Sequence, residues 1–347
     1  MTEMLSENPL GLNGFEFVEF TSPDPQAMAA QFEQLGFVPT HRHPSKNITR
    51  YKQGRINLML NRDADGRVAQ FRGEHGASAS AMAFRVADPA KAMEWALAHG
   101  ATRTAEDDTV IEGIGGSYLY FIQDGIDLYA DWAAFDGWEA AEAENNVGLD
   151  LLDHLTHNVR RGQMQVWSEF YKTLFGFEEQ KYFDIKGKAT GLFSQAMIAP
   201  DKAIRIPLNE SQDDKSQIEE FIRDYHGEGI QHLALTTPDI FDTVERLRAR
   251  GVKLQDTIET YYELVDKRVP GHGEDLERLR KNRILIDGNV GDEGILLQIF
   301  TENMFGPIFF EIIQRKGNEG FGNGNFQALF ESIELDQIRR GVIKVDA

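Results

Sequence analysis

The sequence predicts an α+β chain of four repeated βαβββ modules, paired into two open-barrel domains, with an amphipathic helix at the C-terminal end. Two observations predict this class. A strand-like run followed by about three helical turns recurs along the chain, and each helical pattern ends at a glycine, as helix C-termini commonly do. Further strand-like runs such as INLML, SYLYFI, ILLQIF and IFFEII follow the helices. The repeated segments are residues 15–37, 80–101, 154–177 and 232–252.

The repeats indicate internal duplication and suggest a domain boundary. The second and fourth segments align without a gap, from Ala81 against His232 to the glycine that ends each helix. The acidic, alanine-rich stretch AAFDGWEAAEAENNVGLD separates the two pairs of modules. We therefore expect an N-terminal domain of residues 1–145 and a C-terminal domain of residues 146–347.

Composition bounds the class of protein. The chain has 347 residues, which is long for one ordinary core, and no stretch approaches the ~20 apolar residues of a membrane helix. The first residues show no secretion signal, so we expect a soluble cytoplasmic protein with no membrane partner. The net charge of −20 argues against a nucleic-acid partner, and the absence of cysteine excludes thiolate metal ligands. An anionic substrate would need positive charge supplied inside the site, for example by a metal.

Three residues of the C-terminal half have no counterpart of the same kind in the N-terminal half. If the modules are duplicates, a residue present in one copy and absent from the other is not needed for folding. The corresponding positions are Ala81 for His232, roughly Ala130 for Glu311, and Glu16 or Phe17 for His154. The set of His154, His232 and Glu311 is therefore a candidate for function.

Two imidazoles and one carboxylate are the ligands of non-haem Fe(II) oxygenases, and they leave up to three coordination positions open. A charge inside the apolar run PIFFEII would be costly to bury without a partner, which favours a role for Glu311. A single histidine in a strand is more often a core or surface residue than a ligand. His157 is the rival of His154 and faces the other side of the strand. The residues alone leave open whether the three form a metal site.

Four segments, LLDHLTHNV, EGIQHLALTT, GILLQIFTENMFGPIFFEIIQRKG and GFGNGNFQALFESIE, closely resemble the bacterial 4-hydroxyphenylpyruvate dioxygenase family. That family belongs to the glyoxalase-like vicinal-oxygen-chelate superfamily, which is built from paired βαβββ modules. The resemblance covers essentially the whole chain, weakly over residues 1–150 and strongly beyond them. It implies that His154, His232 and Glu311 bind one Fe(II) per subunit.

The resemblance also implies a substrate pocket. Strand alternation would turn Gln231 away from the face of His232, so a pocket role for this glutamine requires a local bulge. The polar positions implied are Ser194, Pro207, Asn209, Gln217, Gln231, Gln298 and Asn325, and the positions around the substrate ring are Phe300, Phe309, Phe321 and Phe326.

The activity implied is the conversion of 4-hydroxyphenylpyruvate and O2 to homogentisate and CO2, a step of tyrosine and phenylalanine catabolism, in a homodimer or homotetramer. One alternative is 4-hydroxymandelate synthase, with the same ligands and substrate. A second is a haemolysin-labelled relative that acts through pigment formation, and a third is an iron-free binding module.

The segment GNFQALFESIELDQIRR spaces Phe326, Leu329 and Phe330 as in an amphipathic helix, and the glycines before it suggest a hinged lid.

Overall fold

The computed structural model describes residues 8–104, 109–186, 190–257, 259–322, 324–325, 337–338 and 340–343. Within these residues the N-terminal half forms one eight-stranded sheet. Its strands are β1 Phe15–Thr21, β2 Val38–Arg42, β3 Ile48–Gln53, β4 Ile56–Asn61, β5 Ser78–Val86, β6 Val110–Glu112, β7 Tyr118–Gln123 and β8 Ala133–Ala134. They lie in the order β6-β7-β5-β1-β4-β3-β2-β8.

The C-terminal half forms a second eight-stranded sheet in the described part of the chain. Its strands are β9 Leu151–Val159, β10 Glu178–Lys186, β11 Gly191–Ile198, β12 Arg205–Ser211, β13 Gly229–Thr236, β14 Leu285–Asn289, β15 Gly294–Phe300 and β16 Phe309–Lys316. They lie in the order β10-β11-β12-β9-β13-β16-β15-β14.

The helices pack beside these sheets. Four of them follow the first strand of a module, as the repeats predict. These are α1 Pro25–Gln34, α3 Pro89–Ala98, α5 Met164–Phe175 and α7 Ile240–Ala249. The other described helices are α2 Gly66–His75, α4 Trp138–Asn145, α6 Gln217–Asp224, α8 Glu259–Glu263, α9 Val265–Arg268 and α10 Leu276–Asn282. None of the described helices is long and apolar enough to cross a membrane.

The two sheets share one plan. At the centre of each, the first strands of two modules pair antiparallel, β1 with β5 and β9 with β13. Each central strand then has a parallel neighbour, which is the last strand of its own module. The predicted α+β class and the pairing of modules are confirmed. In the second module, the strand after α3 is reduced, within the described residues, to a single bridge between Arg103 and Ile111.

The sequence signals at the helix ends have a local physical basis. The side chains of Asp24, Asp88 and Asp239 cap α1, α3 and α7 by accepting hydrogen bonds from backbone N–H groups of the first turn. At the other end, the glycine after each of the four module helices has a positive φ, which ends the helix. These glycines are Gly36, Gly100, Gly176 and Gly251.

The halves are joined by an apolar core. The ring of Phe305, from the C-terminal half, lies 5.5 Å from that of Phe20 and 5.2 Å from that of Phe32 in the N-terminal half.

The predicted connector contains α4, and β9 begins shortly after it, at Leu151. A domain boundary between residues 145 and 146 stays a prediction, as does the cytoplasmic location. The predicted C-terminal helix lies mostly outside the described residues.

Candidate metal centre

The three candidate ligands lie on adjacent strands at the middle of the second sheet. His154 is on β9, His232 on β13 and Glu311 on β16. Ala234 on β13 pairs with His154 on one side and with Glu311 on the other. His232 is two residues before Ala234, so strand alternation places it on the same face. Register therefore brings the three side chains together, and each is at most 3% exposed.

The spacing of the three side chains suits one divalent ion. Their candidate ligand atoms all lie within 4.8 Å of one another. The Nε2 of His154 is 3.1 Å from Oε2 of Glu311, and the Nε2 of His232 is 3.5 Å from the same oxygen. Two imidazole nitrogens and one carboxylate oxygen on one face of a cavity match the ligand set of a non-haem Fe(II) site. The residues present therefore fit the implied metal.

Neighbouring groups orient each ligand. The Nδ1 of His154 donates to Asp153 at 2.9 Å, and the Nδ1 of His232 donates to Oε1 of Gln231 at 3.0 Å. Both bonds leave Nε2 free to face the metal position. The side-chain amide of Gln298 donates to Oε1 of Glu311 at 2.5 Å, so Oε2 is the oxygen that faces the histidines.

Electrostatics at the site favour an ionised carboxylate. Burial raises the pKa of Glu311, but the two histidines outweigh it and bring this pKa down to about 2. Burial lowers the pKa of His154, but Glu311 and Asp153 outweigh it and the net shift is upward. Burial also lowers the pKa of His232, and here burial dominates. In the metal-free protein, His154 therefore holds a proton more strongly than His232 does.

The equivalent site of the N-terminal sheet holds aromatic rings. Ala81 pairs with its neighbouring strands as His232 does, so their predicted equivalence is confirmed. The prediction of Ala130 for Glu311 was wrong, because β7 ends at Gln123 and Ala130 lies beyond it. Ala83 is two residues after Ala81, as Ala234 is after His232, and it pairs with Phe17 on β1 and Tyr120 on β7. Phe17 is therefore the counterpart of His154, and Tyr120 is the counterpart of Glu311. The rings of Phe17 and Tyr120 lie 5.5 Å apart where the C-terminal half has its charged ligands.

A small cavity adjoins the triad. Its free space is about 10 Å³, which is room for about one water molecule. Five of the predicted pocket residues line it, namely Ser194, Pro207, Gln298, Phe300 and Phe321. Three further lining residues, Thr156, Phe183 and Ala196, were not predicted. Thr156 and Ala196 are two residues from His154 and Ser194 on their strands, so strand parity could have identified them.

The other predicted pocket residues are not among those that line the cavity. Phe309 stacks on His232 with ring centroids 4.8 Å apart. Asn209 is buried opposite Ser194, and its side-chain oxygen has no hydrogen-bond partner among the described residues. Gln217 is buried at the start of α6. Phe326 lies outside the described residues.

The bulge required for Gln231 is present, because the pairing of β13 with β9 shifts register between Ile230 and His232. The Gln231 side chain contacts the back of the His232 ring instead of lining the cavity. The substrate-binding roles of the predicted pocket residues, Gln231 included, stay predictions.

The glycine-rich segment after β16 closes one side of the cavity. The ring of Phe321 lies 5.5 Å from that of His154, and Asn325 donates to Oε1 of Gln298 at 2.8 Å. Asn325 in turn accepts from the hydroxyl of Tyr261 at 2.8 Å. Gly322 has a φ of +65°, and a Cβ there would collide with the Gln298 amide. This close approach requires glycine at that position.

His157, the rival ligand, lies on the opposite face of β9, as predicted. Its Nε2 is 2.7 Å from the Tyr171 hydroxyl of α5, and the residue is fully buried. Burial brings the pKa of His157 from 6.5 down to about 3. His157 is therefore a neutral core residue.

Acidification should destabilise the protein through His157. Because its folded-state pKa is about 3 and its ordinary value is 6.5, the unfolded chain takes up a proton that the folded chain excludes between these pH values. Stability is thus lost as pH falls below the unfolded value, by up to about 1.4 kcal/mol per pH unit. Urea unfolding from pH 7 to 4.5 should show a flatter pH dependence for His157→Gln than for the parent. The exposed His226, changed to Gln, is the control, and equal slopes for all three proteins would refute the assignment.

Comparison with known proteins places this chain in a family. Residues 6–134 match the family described as hydroxyphenylpyruvate dioxygenase, HPPD, N-terminal, and residues 151–264 match the glyoxalase/bleomycin resistance protein/dioxygenase superfamily. A 4-hydroxyphenylpyruvate dioxygenase of Pseudomonas aeruginosa is 56% identical, over 97% of each chain. The chain belongs to the 4-hydroxyphenylpyruvate dioxygenase family. The resemblance inferred from the four segments is confirmed.

Two other proteins that are similar to this chain carry different names. Hemolysin VllY of Vibrio vulnificus is 53% identical over 97% of this chain and 98% of its own length. The structure of a mutant 4-hydroxymandelate synthase from Streptomyces coelicolor matches with a TM-score of 0.83 at 26% identity, covering 94% of this chain and all of the other. That match and the superfamily match confirm the glyoxalase-like, vicinal-oxygen-chelate fold.

Proposed function

We propose that this chain is an Fe(II)-dependent enzyme that converts 4-hydroxyphenylpyruvate and O2 to homogentisate and CO2, with one iron per chain. The observation that supports this most directly is the convergence of His154, His232 and Glu311 within 4.8 Å in a chain of this dioxygenase family. When bound there, Fe(II) would supply a Lewis acid for the 2-oxo acid and the site at which O2 reacts.

The chain's own residues hold and shield that site. Two neutral imidazoles and one carboxylate leave a residual charge of about +1 on the metal, which attracts an anionic 2-oxo acid into a protein of net charge −20. Phe300, Phe309 and Phe321 provide ring faces and edges for an aromatic substrate. The side-chain oxygen of Asn209, which has no hydrogen-bond partner in the described part of the chain, offers an acceptor to the phenol hydroxyl.

Substrate entry requires movement. Free space for about one water cannot hold a phenylpyruvate, so a wall of the cavity must shift. Phe321 is the lining residue on a segment with flanking glycines, whereas the other lining residues are on strands or packed against them. We infer that displacement of this segment admits the substrate and that its return excludes water.

Product analysis tests the proposed reaction. The protein loaded with Fe(II) and mixed aerobically with 4-hydroxyphenylpyruvate should form homogentisate, CO2 and no 4-hydroxymandelate, as read by chromatography. Hydroxymandelate as the main product would instead support the activity named for the structural relative at 26% identity. Lysis of red cells by the purified protein without substrate would support a direct haemolysin. A dimeric or tetrameric state stays a prediction.

A further inference from the structure

Asp153 is the most heavily hydrogen-bonded carboxylate near the triad. It is 3% exposed, and it accepts from the Nδ1 of His154 at 2.9 Å. The guanidinium of Arg315 donates to both of its oxygens, at 2.9 and 2.8 Å, and Arg205 donates at 3.2 Å. A buried carboxylate paired with two arginines and one imidazole is held firmly in position.

The same two arginines also hold the glycine-rich segment. Arg315 donates to the backbone oxygens of Asn318 at 3.0 Å and Gly320 at 2.6 Å. Arg205 donates to the carboxylate of Glu319 at 2.6 Å. The next residue is Phe321, whose ring faces His154. One polar network thus contacts the back of a candidate metal ligand and the base of the segment that closes the cavity.

We propose that Asp153 is a positioning residue that couples His154 to residues 318–321 through Arg315 and Arg205. Its carboxylate aims the Nε2 of His154 at the metal, and its arginine partners fix the segment that presents Phe321 to the same site. This inference rests on the metal site of the proposed function, but it does not depend on which product forms.

Within the described part of the chain, the second histidine has a different environment. His232 is oriented by the neutral side-chain amide of Gln231 and stacks on the ring of Phe309. A charged acceptor holds an imidazole more strongly than an amide does. The coupling is therefore specific to His154.

Asp153→Asn tests the proposal with readouts independent of turnover. We expect the dissociation constant for Co(II), titrated anaerobically into the metal-free chain, to rise about 10- to 100-fold. Backbone hydrogen exchange of residues 317–322 should also speed up. The control is Glu245→Gln, which removes another carboxylate that accepts two hydrogen bonds from one arginine, on the surface of α7. It should change neither readout.

Arg315→Lys keeps a positive charge beside Asp153 but removes the guanidinium that donates to both carboxylate oxygens. This variant tests the proposal if Asp153→Asn does not fold. It should speed exchange of residues 317–322 and weaken Co(II) binding by a smaller factor than Asp153→Asn. Parent-like Co(II) affinity in folded Asp153→Asn, or parent-like exchange in Arg315→Lys, would overturn the coupling. A parent protein that binds metal at the triad but makes no homogentisate would refute the proposed function and leave this inference standing.

Discussion

Replacing His232 by alanine is expected to remove most of the bound iron and to lower homogentisate formation at least about a thousandfold, or ~4 kcal/mol of transition-state stabilisation. The variant keeps only one imidazole and one carboxylate, and its truncated side chain leaves a gap beside Phe309. Iron per chain, measured by metal analysis, and turnover should be determined on the same preparation.

The control for this prediction is His226→Ala. His226 is exposed in a turn of the same half of the chain and has no contact with the triad. It should keep both iron and turnover. Because Ala81 occupies the equivalent position in the N-terminal sheet without disrupting its strand, His232→Ala should also keep its secondary structure by circular dichroism. If the folded His232→Ala protein kept the parental iron content, the iron would have to bind at another site, which would contradict the prediction.

Removal of residues 321–347 is expected to abolish measurable turnover, with a loss of at least about a hundredfold. Phe321 lines the cavity, and Asn325 holds the Gln298 amide that bonds to Glu311. Without them the cavity opens to water and Gln298 loses a partner. The sixteen described strands end at Lys316, so both sheets should remain. The measurements are turnover, circular dichroism and iron content.

The matched control is removal of residues 344–347 alone, which retains Gln337 and Arg340 and their hydrogen bonds to Glu220 of α6. This shorter truncation should keep parental turnover, because the segment stays attached at its far end. Parental turnover in the protein that lacks residues 321–347 would contradict the role assigned to the segment.

The sequence predicted the modules because their signals are local. Aspartate caps and terminal glycines depend on neighbours within a few residues. The structure shows an aspartate cap at three of the four module helices and a positive-φ glycine after all four. The three candidate ligands could also be predicted from the sequence. The repeat has Ala81 at the position of His232, which indicates that the module folds without a histidine there. The assignment of Ala130 was wrong, since counting residues from a glycine cannot reveal where strand β7 ends.

The residues that sequence analysis missed depend on tertiary register. Asp153 precedes His154, and strand alternation alone would point it away from the site, yet its carboxylate reaches the back of the ring. Tyr261 lies in the long connection between α7 and β14, and only folding brings it to Asn325. Phe183 lines the cavity from β10 with no motif around it. These contacts can be identified only when the three-dimensional structure is known.

An Fe(II) titration of the metal-free chain, with homogentisate formation as the readout, tests the proposed metal site and the proposed reaction together. We predict no product without metal, a linear rise with added Fe(II), and saturation at one iron per chain, with His232→Ala remaining inactive throughout. Full product formation in the presence of an iron chelator, or equal activity of His232→Ala at the same Fe(II) concentration, would contradict it.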